Sequence, residues 1–349
     1  KMLSINMIST GQEVKGQGVG AAYDEIVRLL QTYAADELTL YFNSLKNCDI
    51  NHVHTIHPFC YARMSMSSAP SCMHVHFLPE TLEGSIHLPK IGKDAVNKYV
   101  ISMYQSAQEL IVVNPIFIDP LSEYGIDKEK INYIPNVVSS KSFFNFDVPD
   151  SDPMREAYNI KKSDFTVLGV GQVQTRKGVH DFVEIARSLP DVHFIWAGGF
   201  SFGAITDGYE DLTLLMENAP KNVDFVGIVD RDNINTLYNL CDVLLMTSYN
   251  ELFPMAILEA VNAGIPILLR DLDLYKKIYF TDYLKASDNK EFIEQLTALK
   301  TSPSVKEHAI KCSNDIATFY SEASITKKWI DYYTGFNERW KGFKKSSPF

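Results

Sequence analysis

The sequence contains no C-x-x-C pair, no long uninterrupted apolar run and fewer positive than negative charges, and each shortage removes a class of protein. Its five cysteines, Cys48, Cys60, Cys72, Cys241 and Cys312, are odd in number and widely spaced. That pattern suggests neither a disulfide framework nor a zinc ribbon, and a reducing cytoplasm is the expected home. No apolar run reaches the roughly eighteen residues needed to cross a bilayer. No basic start leads into an apolar secretion segment, so any membrane contact is expected to be peripheral. With 33 Lys and Arg against 43 Asp and Glu, the formal charge is -10, which argues against a nucleic-acid partner but leaves room for a locally basic membrane face. Internal repeats and low-complexity tracts are also missing.

What is present is a globular composition, 46% apolar, in a chain of 349 residues, too long for one ordinary α/β core. Strand-like runs alternate with helix-like ones, the pattern of parallel sheets wound by crossover helices. Residues 3–8, 38–43, 50–55, 72–77, 109–113 and 130–134 supply strands of a first domain, and strands of a second begin at Phe165, Val192, Val223, Asp242 and Ile265. The stretch 135–153, with its prolines and its Ser and Asp residues, reads as a linker. We place the domains at residues 1–145 and 146–325, with an aromatic, amphipathic terminal segment at 326–349.

Two motifs carry the chemistry. In SYNELFPMAILEAVNAG, residues 248–264, Glu251 and Glu259 lie across seven intervening residues where a buried strand turns into a helix. Pro254 suits the first turn of that helix, because its missing N–H would be unpaired there anyway. Helical rise separates the carboxylates by roughly 12 Å, beyond the span of about 5 to 9.5 Å at which paired carboxylates hydrolyse glycosides. Two distant hydroxyl groups of one ligand fit that spacing better. The second motif follows the strand FTVLGVG, residues 165–171, where Arg176 and Lys177 occupy a loop that leads into an amphipathic run. In an open parallel sheet that edge binds ligands, and the following helix N-terminus adds donors for phosphate. Together the motifs read as a diphosphate clamp joined to a reader of sugar and ribose hydroxyls.

At these residues the chain resembles the retaining glycosyltransferases of family 4, whose GT-B fold sets two Rossmann-like domains facing across a cleft. The E-x7-E pattern corresponds to Glu251 and Glu259, and the Arg-Lys pair to Arg176 and Lys177. The resemblance continues through VKGQGVG (14–20), VHFLPETLEGS (75–85), YIPN (133–136), WAGGFSFG (196–203) and LRDLDLYK (269–276). It is greatest to bacterial glycolipid synthases that add a second hexose, often α-galactose, to glucosyl-diacylglycerol, the membrane anchor of lipoteichoic acid. The resemblance implies an acceptor-binding first domain, a nucleotide-sugar-binding second domain and a terminal helix that crosses back to the first. It implies a donor of UDP-galactose or UDP-glucose and catalysis by Arg176, Lys177, Glu251 and His76. Gly16, Gly18, Gly199, Phe253, Pro254, Met255 and Glu259 would bind the donor, with Glu251 on sugar hydroxyls and Glu259 on the ribose diol. A polysaccharide, protein or soluble acceptor, or a silent sugar-nucleotide module, remains the alternative.

Three other features compete with this reading. Gly16, Gly18 and Gly20 follow the first strand, but a nicotinamide site would need G-x-G-x-x-G and a carboxylate at the end of the second strand, where Leu40-Tyr41-Phe42-Asn43 stands. His52, His54, His74 and His76 form two H-x-H pairs, each on one strand face, yet no nearby carboxylate or cysteine completes a zinc set. The usual His-Asp pair of the family is His76-Phe77 here, so no acidic role is carried over at 77. Two D-x-D strings, at 150–152 and 271–273, lie away from the cationic loop, and no metal or other cofactor is expected. Peripheral contact with an anionic membrane is assigned to residues 86–104, which mix apolar and aromatic residues with Lys90, Lys93 and Lys98.

Overall fold

The structure, a computed structural model, describes residues 2–10, 18–79, 90–279 and 282–343. They divide into two compact units, one of residues up to Val137 joined by the segment from Ser321 onward, the other running from Val138 to Tyr320. Each is built on its own six-stranded sheet.

The first sheet contains β1 (Leu3–Ile8), β2 (Leu38–Phe42), β3 (Ile50–Val53), β4 (Ser71–Val75), β5 (Glu109–Val112) and β6 (Ile131–Tyr133), in the order β2-β1-β3-β4-β5-β6. The second contains β7 (Thr166–Val170), β8 (His193–Ala197), β9 (Val223–Gly227), β10 (Val243–Met246), β11 (Ile267–Arg270) and β12 (Leu284–Ala286), in the order β12-β11-β10-β7-β8-β9. All strand pairs within both sheets are parallel. Parallel strands covered by helices on both faces lose the inside/outside alternation, and β4, β5, β8, β10 and β11 are buried along their whole length. The strand β12 escapes the sequence reading because it is a three-residue edge with a lysine at its centre and no apolar run to mark it.

In the second sheet β7 has β10 on one side and β8 on the other, so the strand order reverses between β7 and β10. Open α/β sheets bind ligands outside the carboxyl ends of strands at such a reversal, and here the loops leaving β7 and β10 meet there, Tyr249 N donating to the Arg176 carbonyl at 2.9 Å. Those are the loops that carry Arg176 with Lys177 and Glu251.

The C-terminal helix, Glu322–Arg339, packs on the first unit through Trp329, Tyr333 and Phe336, all fully buried. Its start is tied by Glu322 to Arg28 at 2.9 Å. Its end is tied by Glu109, whose carboxylate accepts from Arg339 Nε at 2.7 Å and Nη2 at 3.0 Å, from Tyr332 Oη at 3.1 Å and from Trp340 Nε1 at 2.9 Å.

The unit boundaries fall at 137/138 and 320/321, in place of the expected 145/146 and 325/326. The first moves because residues 143–146 are bound into the second unit. Phe144 N donates to Asn235 Oδ1 at 3.2 Å, Phe146 N to Asn239 Oδ1 at 3.0 Å, and Asn145 Nδ2 to the Ala263 carbonyl at 2.8 Å. The second moves because Tyr320 packs edge-on against Phe253 at 5.3 Å, while Ser321 caps the next helix.

Candidate functional site: a cation–carboxylate cluster at the strand-order switch

Beyond β7 the chain turns through Gly171 into a short 3-10 turn, Thr175–Lys177, and then into the helix Val179–Ser188. Two glycines make this path possible. Gly178 has φ +69, and a Cβ there would lie 2.2 Å from the Thr247 carbonyl oxygen. Gly198, at the end of β8, has φ +144, and its Cβ would fall 1.8 Å from the Gly171 carbonyl oxygen. The loop therefore beds directly on the ends of β8 and β10, and Trp196 Nε1 holds the Gly171 carbonyl at 3.0 Å.

This path brings Lys177 and Arg176 to Glu251. Lys177 Nζ donates to Glu251 Oε1 at 2.5 Å, while Arg176 Nη1 lies 3.7 Å from Oε2 and donates to the Asn250 carbonyl at 3.0 Å. The side chains of Lys177 and Glu251 are only 11% and 6% exposed, so their charges are weakly screened. Burial pushes the Glu251 carboxyl up, but Lys177 and Arg176 more than offset it and hold it below the usual carboxylate range. Burial, with Arg176 nearby, pulls the Lys177 ammonium below the usual lysine value against the raising effect of Glu251. Two cations and one carboxylate leave the cluster net positive, and it can receive an anion.

The two sequence motifs, read as separate, meet here at one carboxylate, Glu251. The spacing estimate for the two glutamates also changes. The helix runs from Met255 to Asn262, and Pro254, φ -69 and ψ 123, is its cap and not part of its first turn. Glu251 therefore precedes the helix, and the figure based on helical rise does not apply to the pair. Glu259 is on the helix, half-buried, with Oε2 accepting from Tyr238 Oη at 2.9 Å. Phe253 is buried against Tyr320 and Tyr279, and Met255 supplies a first-turn N–H. Gly199 accepts from Val173 N at 3.0 Å, and a Cβ there would make only ordinary contact with Ile228 at 3.5 Å. Its place does not require glycine.

Of the site residues assigned to the first unit, Gly16 lies outside the described residues and Gly18 begins the helix Gly18–Tyr33. His76 follows β4, buried, with its ring stacked on His74 at 4.7 Å. Burial lowers its pKa to about 4, so at neutral pH it is an uncharged imidazole. Behind it, His52, His54 and His74 bring ring nitrogens within 4.8 Å of one another. Their rings stack, His52 on His74 at an angle of 10° and His54 on His74 at 23°, and His52 Nε2 is hydrogen-bonded to His74 Nδ1 at 3.1 Å. A tetrahedral zinc site needs lone pairs converging on one point at about 2.0–2.1 Å. As they stand, these near-parallel rings form a column capped by Tyr333, whose Oη lies 2.6 Å from His52 Nδ1.

The D-x-D strings have structural duties. Asp152 caps the helix Pro153–Ala157 by accepting from Met154 N at 2.9 Å, and Asp150 pairs with Lys162 at 3.1 Å. Asp273 opens the helix Asp273–Lys276 and pairs with Lys276 at 3.1 Å. In the proposed membrane segment, residues 86–89 lie outside the described residues, and the helix that follows, Lys90–Ser106, buries Val100, Met103 and Tyr104 within its own unit while Lys98 is exposed. Among the described residues no helix is long and apolar enough to cross a membrane.

Sequence reasoning missed the layer behind the clamp. Thr247, Tyr249, Asp181 and Arg270 carry no spacing signal, because they meet only when the ends of β10 and β11 and the start of the helix Val179–Ser188 come together in the sheet.

Two parallel sheets, the second with its strand order reversed beside a buried cation–carboxylate cluster, make up the architecture of GT-B glycosyltransferases. The fold superimposes on that of sucrose-phosphate synthase from Thermosynechococcus elongatus, with a TM-score of 0.77 at 14% identity over 97% of this chain and 100% of that one. It also superimposes on Anabaena HepE in complex with UDP-glucose, with a TM-score of 0.75 at 15% identity over 95% of this chain and 100% of that one. Residues 150–314 match the model of glycosyl transferases group 1, and residues 23–141 that of glycosyltransferase family 4. The chain is 43% identical to the alpha-galactosylglucosyldiacylglycerol synthase of Streptococcus pneumoniae, over 95% of its own length and 90% of the relative's. It is 26% identical to the processive diacylglycerol alpha-glucosyltransferase of Acholeplasma laidlawii, over 80% and 82% of the two lengths. This protein belongs to glycosyltransferase family 4.

Proposed function

We propose that the protein transfers a hexose from a UDP-sugar, galactose ahead of glucose, to glucosyl-diacylglycerol, giving an α-linked diglycosyl-diacylglycerol. The observation that carries the reading is the buried contact of Lys177 and Arg176 with Glu251 at the strand-order switch. The second unit binds the nucleotide and the first the acceptor. As the bond between the sugar C1 and the β-phosphate oxygen breaks, its electron pair passes to UDP. Lys177 and Arg176 stabilise that growing charge, which a site with little water makes more effective. The acceptor hydroxyl attacks C1 on the face that the diphosphate leaves, and its proton goes to the departing phosphate oxygen, so the α configuration is kept. Glu251 accepts hydrogen bonds from sugar hydroxyls, Glu259 from the ribose diol, and neutral His76 exchanges hydrogen bonds with the sugar. Family membership supports Gly16 and Gly18 as further ligands of the diphosphate; Gly199 and Phe253 shape its surroundings, and the turn after Pro254 presents the Met255 N–H to it.

The identity to a galactosylating glycolipid synthase supports the donor and acceptor named here. Two cations at the phosphate position support chemistry without a metal. A glycolipid acceptor places the enzyme at the inner face of the cell membrane, with residues 86–104 as the contact. The test is UDP release with UDP-galactose or UDP-glucose, using anionic vesicles with and without glucosyl-diacylglycerol, with EDTA present and absent. Acceptor-dependent release with one donor, undiminished by EDTA, is expected. Binding of UDP without release would move the acceptor to a polysaccharide, protein or soluble sugar, or leave a binding module.

A further inference from the structure

We propose that Arg270 is a positioning residue for the Arg176–Lys177 clamp, acting through Thr247 and Tyr249; the inference rests on the reading of that clamp given above. Arg270, at the end of β11, is buried. Its Nε donates to the Thr247 carbonyl at 3.0 Å and its Nη2 to the Asp181 carboxylate at 2.8 Å. Its guanidinium lies 4.0 Å from the centroid of the Tyr249 ring. Asp181 is held in turn by Asn289 Nδ2 at 3.0 Å and by the Tyr249 hydroxyl. One planar cation thus fixes a backbone carbonyl, a carboxylate and an aromatic ring together, which the fork of arginine permits and a lysine ammonium does not.

The two residues so fixed hold the clamp loop. Tyr249 N donates to the Arg176 carbonyl at 2.9 Å. Thr247 Oγ1 lies 3.1 Å from the Lys177 carbonyl and 2.9 Å from that of Gly178, and its proton is shared between them. Three consecutive carbonyls of the loop are therefore held by residues that Arg270 holds. The start of the loop is held separately, by Trp196 and the end of β8, and electrostatic stabilisation of a leaving group depends on placing the charge to within about half an ångström. Arg270 sits behind the loop and acts through Lys177.

The test is a double-mutant cycle read by donor-dependent UDP release. Arg270→Gln should lower kcat by about tenfold or more and move KM for the UDP-sugar by less than about threefold. Arg270→Lys should recover part of the loss. In a Lys177→Ala background Arg270→Gln should cost clearly less than in the wild type, because one of the two cations it positions is gone. A second readout needs no turnover: acylation of Lys177 by an amine-directed reagent, followed by peptide mass spectrometry. It should rise at least about threefold in Arg270→Gln and in Thr247→Val, with exposed Lys221 as the unchanged reference. Thr247→Val keeps the shape and removes only the hydroxyl, and it carries the test if Arg270→Gln fails to fold. Equal losses in both backgrounds, or unchanged labelling of Lys177, would overturn the proposal. If the wild-type chain releases no UDP with glucosyl-diacylglycerol, the acceptor named above falls and the labelling alone decides the positioning.

Discussion

Lys177 and Glu251 form the shortest charged contact of the site, and each depends on the other in a measurable way. Lys177→Ala should lower donor-dependent turnover by about 10²- to 10³-fold, the range for losing one donor to a developing oxyanion. Its melting temperature should also fall, by several degrees, because the buried Glu251 carboxylate loses its 2.5 Å donor while Arg176 stays no closer than 3.7 Å. Equal turnover would remove Lys177 from the chemistry. For Glu251 the pH dependence has a definite sign. Its folded-state pKa lies below the unfolded value of about 4.3, so its stabilising contribution is fully present above that pH and is lost as pH falls through the folded value. Glu251→Gln should flatten the fall in stability below about pH 5, measured by urea unfolding at a series of pH values. An unchanged acid limb would mean that the carboxylate gains nothing on folding.

At the scale of elements, the loop between β7 and its helix depends on backbone geometry more than on side chains. Gly178→Ala would place a Cβ against the Thr247 carbonyl oxygen at a positive φ, and should destabilise the chain by about 2–4 kcal/mol in urea unfolding. Gly199→Ala, with only Ile228 near its Cβ, should change stability by less than about 1 kcal/mol, so any loss of turnover there reports on the ligand. A Gly178→Ala variant as stable as the wild type would show that the loop can settle elsewhere. The strands of both sheets, β12 excepted, and the two motifs were legible in the sequence because each is local. Runs such as VLLM at 243–246 state their burial, and Arg176, Lys177 and Glu251 follow strands at positions where ligands bind. The placement of Glu251 before its helix was not legible, since a proline serves as well for a cap as for a first turn. The contact between Lys177 and Glu251 spans 74 residues, and the support from Arg270 depends on β11 lying beside β10. No spacing rule encodes such neighbours. The histidine column was half legible: alternation puts His74 and His76 on one face, but only the pairing of β3 with β4 brings His52 and His54 to them.

For the molecule as a whole, the two units can be followed separately because of where the three tryptophans lie. Trp196 is the one in the second unit, while Trp329 and Trp340 belong to the first. A chain carrying Trp329→Phe and Trp340→Phe reports only the unfolding of the second unit by fluorescence. UDP at about one hundred times its Kd should add roughly 2.7 kcal/mol to that transition. No shift would place the nucleotide site outside the unit that holds the clamp.

The ion pair at the centre of the site also sets an entry condition for ligands. A molecule that draws Lys177 toward itself leaves behind a buried carboxylate, and that carboxylate must find new donors at the same moment. Inorganic phosphate at neutral pH carries the charge but has few protons to offer. A sugar nucleotide brings anionic oxygens and a set of hydroxyl donors on one rigid frame, and so satisfies both halves of the broken pair at once. If the proposed function holds, the pair acts as a filter: in a cell full of small anions, it favours the ligand that arrives with its sugar attached and discriminates against the phosphate fragment alone.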